Sequence, residues 1–218
     1  MILIAILLGL IQGITEFLPI SSSGHLVLIE KIFQLDLDFT LLNVILHLAT
    51  LLAVCIYYRK TLIYLVCHPL CKMNQYLLIA TMPAVLFVLI FHSFLNNYLN
   101  SNVFLGIGYL LSAIFLLVGM LICKKSTPQP LKYSNTLVMG LAQAFAIFPG
   151  LSRSGTTLSF GLMAGVERKS ALDFSFLMSI PIILASLVYE LFTSPISSLP
   201  VFDTLLAFVV AFVTAMLS

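Results

Sequence analysis

Two similar segments, each interrupted by proline, glycine and serine, decide how this chain folds. Residues 12–25 read QGITEFLPISSSGH, and residues 143–157 read QAFAIFPGLSRSGTT. At a spacing of 131 residues the matched pairs are Gly9 and Gly140, Leu10 and Leu141, Gln12 and Gln143, Phe17 and Phe148, Ser21 and Ser152, Ser23 and Ser154, and Gly24 and Gly155. Residues 37–40 and 172–175 are also alike, at a spacing of 135. This agreement predicts an internal duplication.

The composition is typical of a membrane protein. Of the 218 residues, 61% are hydrophobic and 8% are charged, whereas soluble domains average about 45–50% apolar and about 25% charged residues. The mean hydropathy is +1.16. These values exclude a soluble enzyme and a disordered chain. A net charge of only +2 provides no basic surface for a nucleic acid, so we predict an all-α polytopic membrane protein.

Five apolar segments reach or approach the roughly 20 residues that a helix needs to cross a bilayer. They are 41–58, 77–95, 103–123, 171–192 and 203–218. Two further apolar segments, 1–29 and 136–166, contain the interrupted stretches. We therefore predict about five full transmembrane helices and two broken or re-entrant segments, within a single membrane domain that covers 1–218.

The two copies are predicted to lie in opposite orientations in the membrane. Three full crossings separate the broken segments, and an odd number of crossings inverts the second copy. Inverted repeats with interrupted helices place a binding site near the membrane midplane. Repeat 1 covers about 1–125 and repeat 2 about 132–218. We expect repeat 2 to lack its last helix, because no counterpart of 103–123 follows 203–218.

The distribution of lysine and arginine indicates the orientation of the chain in the membrane. With loop 59–76 in the cytoplasm, eight of the ten basic residues lie inside, and Lys31 and Arg153 are the exceptions. The first broken segment then enters the membrane from the outer face, and the second enters from the inner face.

The first broken segment carries groups suited to phosphate chemistry. Gln12 and Glu16 are four residues apart and share a helix face. Pro19 ends that helix. The turn after it offers hydroxyls and free backbone N–H groups at the start of a new helix, which is a ready anion site. Its residues are Ser21, Ser22, Ser23, Gly24 and His25.

The second broken segment adds a cation. Arg153 lies between Ser152 and Ser154, and a guanidinium can form paired hydrogen bonds with phosphate oxygens. Together the two turns supply a carboxylate, an imidazole, a guanidinium and several hydroxyls, a set that can neutralise a phosphate, attack it and move a proton. A carboxylate beside an amide, as in Glu16 and Gln12, also suits a hard divalent cation.

Structural roles for the same residues are the alternative. Glu16 and Arg153 could be an ion pair that ties the repeats together, but a charge at the bilayer centre costs about 2.5–3.5 kcal/mol on insertion scales. The serines could be small residues that let helices approach each other. For His47, inside segment 41–58, we favour a helix–helix hydrogen bond over a place in the site.

At these two motifs the sequence resembles the bacterial undecaprenyl-diphosphatase family, the bacitracin-resistance membrane phosphatases. The first motif is carried by Gln12, Glu16, Pro19, Ser21, Ser22, Gly24 and His25, and the second by Pro149, Gly150, Ser152, Arg153, Ser154, Gly155 and Thr157. The resemblance continues through residues 173–177 and covers essentially the whole chain. It differs at Gln12, where many members have glutamate, and members usually extend beyond the point where this chain ends.

The resemblance implies hydrolysis of undecaprenyl diphosphate to undecaprenyl phosphate and inorganic phosphate, which recycles the lipid carrier of cell-wall synthesis and confers bacitracin resistance. It implies a divalent cation, Mg²⁺ or Ca²⁺, and an active site at the outer face of the cytoplasmic (inner) membrane. The partners would be the polyprenyl diphosphate and bilayer lipids, with no nucleic acid. A homo-oligomer is a further expectation.

The resemblance also implies roles for individual residues. Glu16, helped by Gln12, would bind the metal or act as a base, and either Ser22 or His25 would be the attacking or proton-carrying group. Arg153 would be a catalytic residue that holds the phosphates together with Ser152, Ser154 and Thr157. The other predicted phosphate-binding residues, from the turns, are Ser21, Ser23, Gly24 and Gly155. The competing hypotheses are a transporter or lipid flippase built from inverted repeats, and an inactive remnant without its last helix.

Overall fold

The structure, a computed structural model, describes residues 2–34, 39–98, 102–124, 127–148, 150–193 and 200–218. Within these ranges the chain forms ten helices and no strand beyond one isolated bridge between Gln129 and Val166. The helices are α1 (Ile2–Thr15), α2 (Ser22–Phe33), α3 (Phe39–Tyr57), α4 (Arg59–Cys67), α5 (Lys72–Tyr98), α6 (Asn102–Cys123), α7 (Tyr133–Phe145), α8 (Arg153–Met163), α9 (Arg168–Thr193) and α10 (Val201–Leu217).

Each of the five predicted crossings falls on an apolar helix. Within the described ranges, three are long and apolar enough to span a membrane, at Lys72–Phe91, Leu105–Cys123 and Arg168–Tyr189. A fourth span is present if α3 and α4, which meet at a bend of 80°, count as one. The fifth predicted crossing is the shorter apolar helix α10. The prediction of an all-α polytopic membrane protein is confirmed.

Both broken segments are interrupted where proline, glycine and serine predicted it. In the first, α1 ends at Thr15 and α2 begins at Ser22; in the second, α7 ends at Phe145 and α8 begins at Arg153. The two new helices start with the same cap. The Ser21 hydroxyl accepts from the Gly24 N–H (3.3 Å), and the Ser152 hydroxyl accepts from the Gly155 N–H (3.1 Å). Pro149 lies outside the described residues.

Helices of the two predicted repeats pack against each other reciprocally. Helix α1 packs on α10, and α7 packs on α5. Both contacts are made through a glycine: a Cβ added to Gly9 would lie 2.5 Å from the Ala207 carbonyl oxygen, and one added to Gly140 would lie 2.6 Å from the Ala80 carbonyl oxygen. Gly9 and Gly140 are an aligned pair of the predicted repeat, and each makes the close contact between helices of different copies; the duplication itself stays a prediction.

Substitution of Gly140 by alanine is expected to destabilise the protein. The new methyl group would meet the backbone of α5, which cannot move aside as a side chain can, so the helices must separate. Overpacking of this kind typically costs about 1–3 kcal/mol, which corresponds to a fall in Tm of at least about 2–4 °C for a chain of this size. Thermal unfolding in detergent measures it.

The matched control for this test is Gly106→Ala, because a Cβ at Gly106 in α6 meets no atom within 4 Å. Alanine favours a helix over glycine by about 1 kcal/mol, so the Tm of that variant is expected to stay constant or rise. Equal Tm values for the two variants would contradict close packing at Gly140.

Candidate active site

The site is centred on Glu16, whose carboxylate joins the two broken segments. Glu16 follows the end of α1, and its side chain is 8% exposed. Oε1 accepts a hydrogen bond from Nη2 of Arg153, at the start of α8. Oε2 accepts from the Ser22 hydroxyl at 2.5 Å and from Nε2 of Gln12 at 3.1 Å. Four of the predicted residues, from both repeats, therefore lie in one hydrogen-bonded group.

A cavity of about 710 Å³ opens beside this group. Its polar wall includes Glu16, Ser21, Ser22, Ser23, Ser152, Arg153 and Ser154, and its apolar wall includes Val27, Val44, Ala84, Val88, Leu105, Ile147 and Ile182. Ligand cavities of about 300–1,000 Å³ accept drug-sized molecules. A wall that combines charged and hydroxyl groups with apolar side chains suits an amphipathic ligand with an anionic head and a hydrocarbon chain.

Ser21 has a backbone conformation that non-glycine residues rarely adopt. Its φ and ψ are 65° and 86°, in the left-handed region, which is strained for a residue with a Cβ atom. Such residues occur at active sites when the surrounding structure holds them in place. Here the strain accompanies the turn that places Ser21, Ser22 and Ser23 together at the cavity wall.

Helix α6 holds the second turn in place. The Ser152 N–H donates to the Ser112 hydroxyl at 2.7 Å, and that hydroxyl donates to the Gly150 carbonyl at 3.3 Å. Gly150 has φ 81°, and an added Cβ would lie 2.3 Å from the Leu105 carbonyl oxygen, so only glycine fits there. Ser112 was not predicted from the sequence. The feature that could have indicated it is a serine among the apolar residues of α6.

His25 is not at the cavity wall. Its Nδ1 lies 2.8 Å from the Ser21 carbonyl oxygen and 3.3 Å from the hydroxyl of Tyr109 in α6. The rings of His25 and Tyr109 are in edge-to-face contact, with centroids 5.5 Å apart. The structure therefore brings His25 to the turn between α1 and α2 but places it against α6.

The remaining predicted phosphate-binding residues support the turns rather than line the cavity. The backbone N–H groups of Gly24 and Gly155 bind the capping serines. The Thr157 hydroxyl lies 2.5 Å from that of Ser175 in α9 and also donates to the Arg153 carbonyl at 2.9 Å. These contacts connect the start of α8 to α9, and so help to position Arg153.

A second histidine, His47, lies beside the Glu16 carboxylate. Nε2 of His47, in α3, lies 3.4 Å from Oε2 of Glu16, and its Nδ1 lies 2.7 Å from the Asn43 carbonyl oxygen. His47 also lines the cavity. The sequence favoured a helix–helix hydrogen bond for His47, whereas the structure places it in the site.

The predicted cation ligands present oxygen atoms of the required kind. No group of three histidine, cysteine or acidic residues that could hold a metal occurs within the described ranges. Magnesium, however, is often held by one or two carboxylates together with substrate phosphates and water. Among the described residues, Oε1 of Gln12 is buried without a hydrogen-bond partner, and such a buried acceptor is costly. Because Nε2 of Gln12 faces Glu16, Oε1 could share a cation with Glu16 only after the amide turns over.

These features define an integral membrane enzyme that acts on a phosphate group. The Ser22 hydroxyl provides a nucleophile, and the Glu16 carboxylate that accepts its hydrogen bond provides a proton acceptor. The Arg153 guanidinium provides a positive charge for the phosphate. Residues 5–218 match the family described as Bacitracin resistance protein BacA. The chain belongs to that family.

Curated relatives cover most of the chain. Undecaprenyl-diphosphatase 3 of Bacillus cereus is 40% identical over 187 residues, which are 85% of this chain and 72% of the relative. An undecaprenyl-diphosphatase of Carboxydothermus hydrogenoformans is 37% identical over 98% of this chain and 83% of its own length. One from Methanococcus vannielii is 35% identical over 97% and 86%, respectively.

Proposed function

We propose that this protein hydrolyses undecaprenyl diphosphate to undecaprenyl phosphate and inorganic phosphate, and so recycles the lipid carrier for cell-wall synthesis. One observation carries the proposal: the Ser22 hydroxyl donates to Glu16, which is paired with Arg153 at the wall of the cavity. The names of the relatives supply the substrate, and the apolar part of the cavity suits the beginning of an isoprenoid chain. Bacitracin resistance is the expected consequence.

In the proposed reaction Ser22 is the nucleophile. Arg153, with the hydroxyls of Ser152 and Ser154, holds the diphosphate and balances its charge. The Ser22 oxygen forms a bond to the terminal phosphorus, its proton passes to Glu16, and the anhydride bond breaks to release undecaprenyl phosphate. Water then attacks the phosphoserine, the bond to Ser22 breaks, and inorganic phosphate leaves. Ser22 is preferred to His25 because Ser22 lines the cavity.

We also propose a divalent cation, Mg²⁺ or Ca²⁺, as the cofactor, with Glu16 and Gln12 as the residues that would hold it. A bound cation would neutralise diphosphate oxygens and so favour departure of the lipid phosphate. EDTA is therefore expected to abolish phosphate release, and added Mg²⁺ or Ca²⁺ to restore it. Full activity in EDTA would contradict the cation.

The proposed location is the cytoplasmic (inner) membrane, with the cavity open to the outer side. The distribution of basic residues supports this orientation, because loop 59–76 and residues 124–132 and 168–169 then lie in the cytoplasm. The diphosphate would then be hydrolysed at the outer face. Self-association stays a prediction from the sequence.

Phosphate release from a long-chain polyprenyl diphosphate by the purified protein in detergent tests the function. The Glu16→Gln variant removes the proton acceptor at nearly constant size, so release is expected to fall by about 100-fold or more. Glu167→Gln, at an exposed site near α9, is the matched control and should retain activity. No release by well-folded wild-type protein, together with lipid movement across vesicle membranes, would favour the flippase hypothesis instead.

A further inference from the structure

We infer that His47 positions the Glu16 carboxylate for its reaction with Ser22. The inference deepens the proposed function and depends on it. His47 lies in α3, outside both motifs that characterise the site, and is 31 residues from Glu16 along the chain. The fold nevertheless brings its ring to the carboxylate oxygen that accepts the Ser22 hydrogen bond.

The His47 ring has an oxygen atom near each of its two nitrogen atoms. Nδ1 lies 2.7 Å from the carbonyl oxygen of Asn43, one turn earlier in α3, and Nε2 lies 3.4 Å from Oε2 of Glu16. The bond to Asn43 fixes the plane of the ring, in the way that a second partner orients a histidine in other sites.

Helix α3 makes a second contact with the same group. Nε2 of Gln12 is 3.3 Å from the Thr50 hydroxyl, and this hydroxyl donates to the His47 carbonyl at 3.0 Å. Gln12, in turn, donates to Oε2 of Glu16. Oε2 therefore has Ser22, Gln12 and His47 around it, while Oε1 faces Arg153.

The two carboxylate oxygens of Glu16 therefore have different roles. Oε1 is paired with the guanidinium, and Oε2 is turned toward the hydroxyl that reacts. Without His47 one contact to Oε2 is lost, and the carboxylate is less firmly held in the orientation that accepts the Ser22 proton. The diphosphate-binding groups, Arg153 and the serines of both turns, stay in place. The loss should therefore appear in kcat rather than in KM.

The His47→Leu variant is expected to lower kcat by about 10–100-fold, the usual effect of removing a residue that orients a reacting group, and to leave KM within about twofold. In His47→Gln the amide nitrogen can still reach Glu16, so most of the lost kcat should return. His47→Asn is too short to reach and should resemble His47→Leu. The control is His68→Leu, because His68 is exposed and stacks on Tyr64.

Three results would overturn the inference: wild-type kcat in His47→Leu, equal kcat in His47→Gln and His47→Asn, or a change confined to KM. If His47→Leu does not fold, as judged by thermal unfolding, the comparison of the glutamine and asparagine variants decides the question. Failure of the proposed function is distinct, because wild-type protein would then release no phosphate. Release that is lost in Ser22→Ala but unchanged in the His47 variants would contradict the role of His47 alone.

Discussion

Replacement of Ser22 by alanine is expected to lower kcat for phosphate release by at least about 10⁴-fold, as loss of the nucleophile does in other hydrolases with covalent intermediates. Ser22 is the hydroxyl that contacts Glu16, at 2.5 Å, and it lines the cavity. The change removes one oxygen atom from a helix start that is capped by Ser21. It also removes a hydrogen bond to a buried carboxylate, which typically contributes about 1.5–3 kcal/mol, so the protein should still fold, with a lower Tm, while activity is lost.

The matched control is Ser170→Ala. Within the described part of the chain the Ser170 hydroxyl donates to the exposed Glu167, away from the cavity, and its loss should leave phosphate release unaffected. A reaction quenched early, with the diphosphate labelled in its terminal phosphate, should leave label on wild-type protein and none on Ser22→Ala. If Ser22→Ala retains activity while His25→Ala loses it together with the label, the nucleophile is His25 and the proposed mechanism is wrong.

Arg153→Ala is expected to lower kcat/KM by about 10³-fold or more, since an arginine that stabilises a transferring phosphoryl group contributes about 10³–10⁵ in rate. The change also leaves the Glu16 carboxylate without its partner in a site where that side chain is 8% exposed. Breaking a buried ion pair at one partner typically costs about 3–5 kcal/mol. Thermal unfolding in detergent should show this destabilisation.

Arg153→Lys separates the charge of Arg153 from its geometry. Lysine keeps the positive charge beside Glu16, so most of the stability should return, but it cannot form the paired hydrogen bonds of a guanidinium. Activity should remain at least about 10-fold below wild type, the equivalent of one lost hydrogen bond to a charged group. Arg59→Lys is the control, because Arg59 is exposed and, among the described residues, donates to the Ile56 carbonyl rather than to a site residue. Wild-type activity in Arg153→Lys would show that charge alone suffices.

The two broken segments could be predicted in detail because their causes are local. Pro19 lacks the N–H that continues a helix, Gly150 adopts a positive φ that a regular helix does not contain, and Ser21 and Ser152 cap the helix that follows. The same residues also predict the internal repeat. The 80° bend between α3 and α4 was not predicted. It follows Tyr58, and the next two residues, Arg59 and Lys60, are exposed charges at the end of an apolar run.

The sequence by itself determined the class of protein and the broken helices, and it singled out Glu16, Ser22 and Arg153 as candidate site residues, because hydropathy, helix breaks and charge in an apolar setting are properties of the residues themselves. Only the tertiary structure shows that the Ser22 hydroxyl donates to Glu16. Only the tertiary structure decided which histidine meets the carboxylate. Each residue of a helix turns a side chain by about 100° about the axis. The position of His25 in α2 therefore turns it to Tyr109, and the position of α3 brings His47 to Glu16. Helix packing depends on contacts between residues far apart in sequence, which no local pattern records.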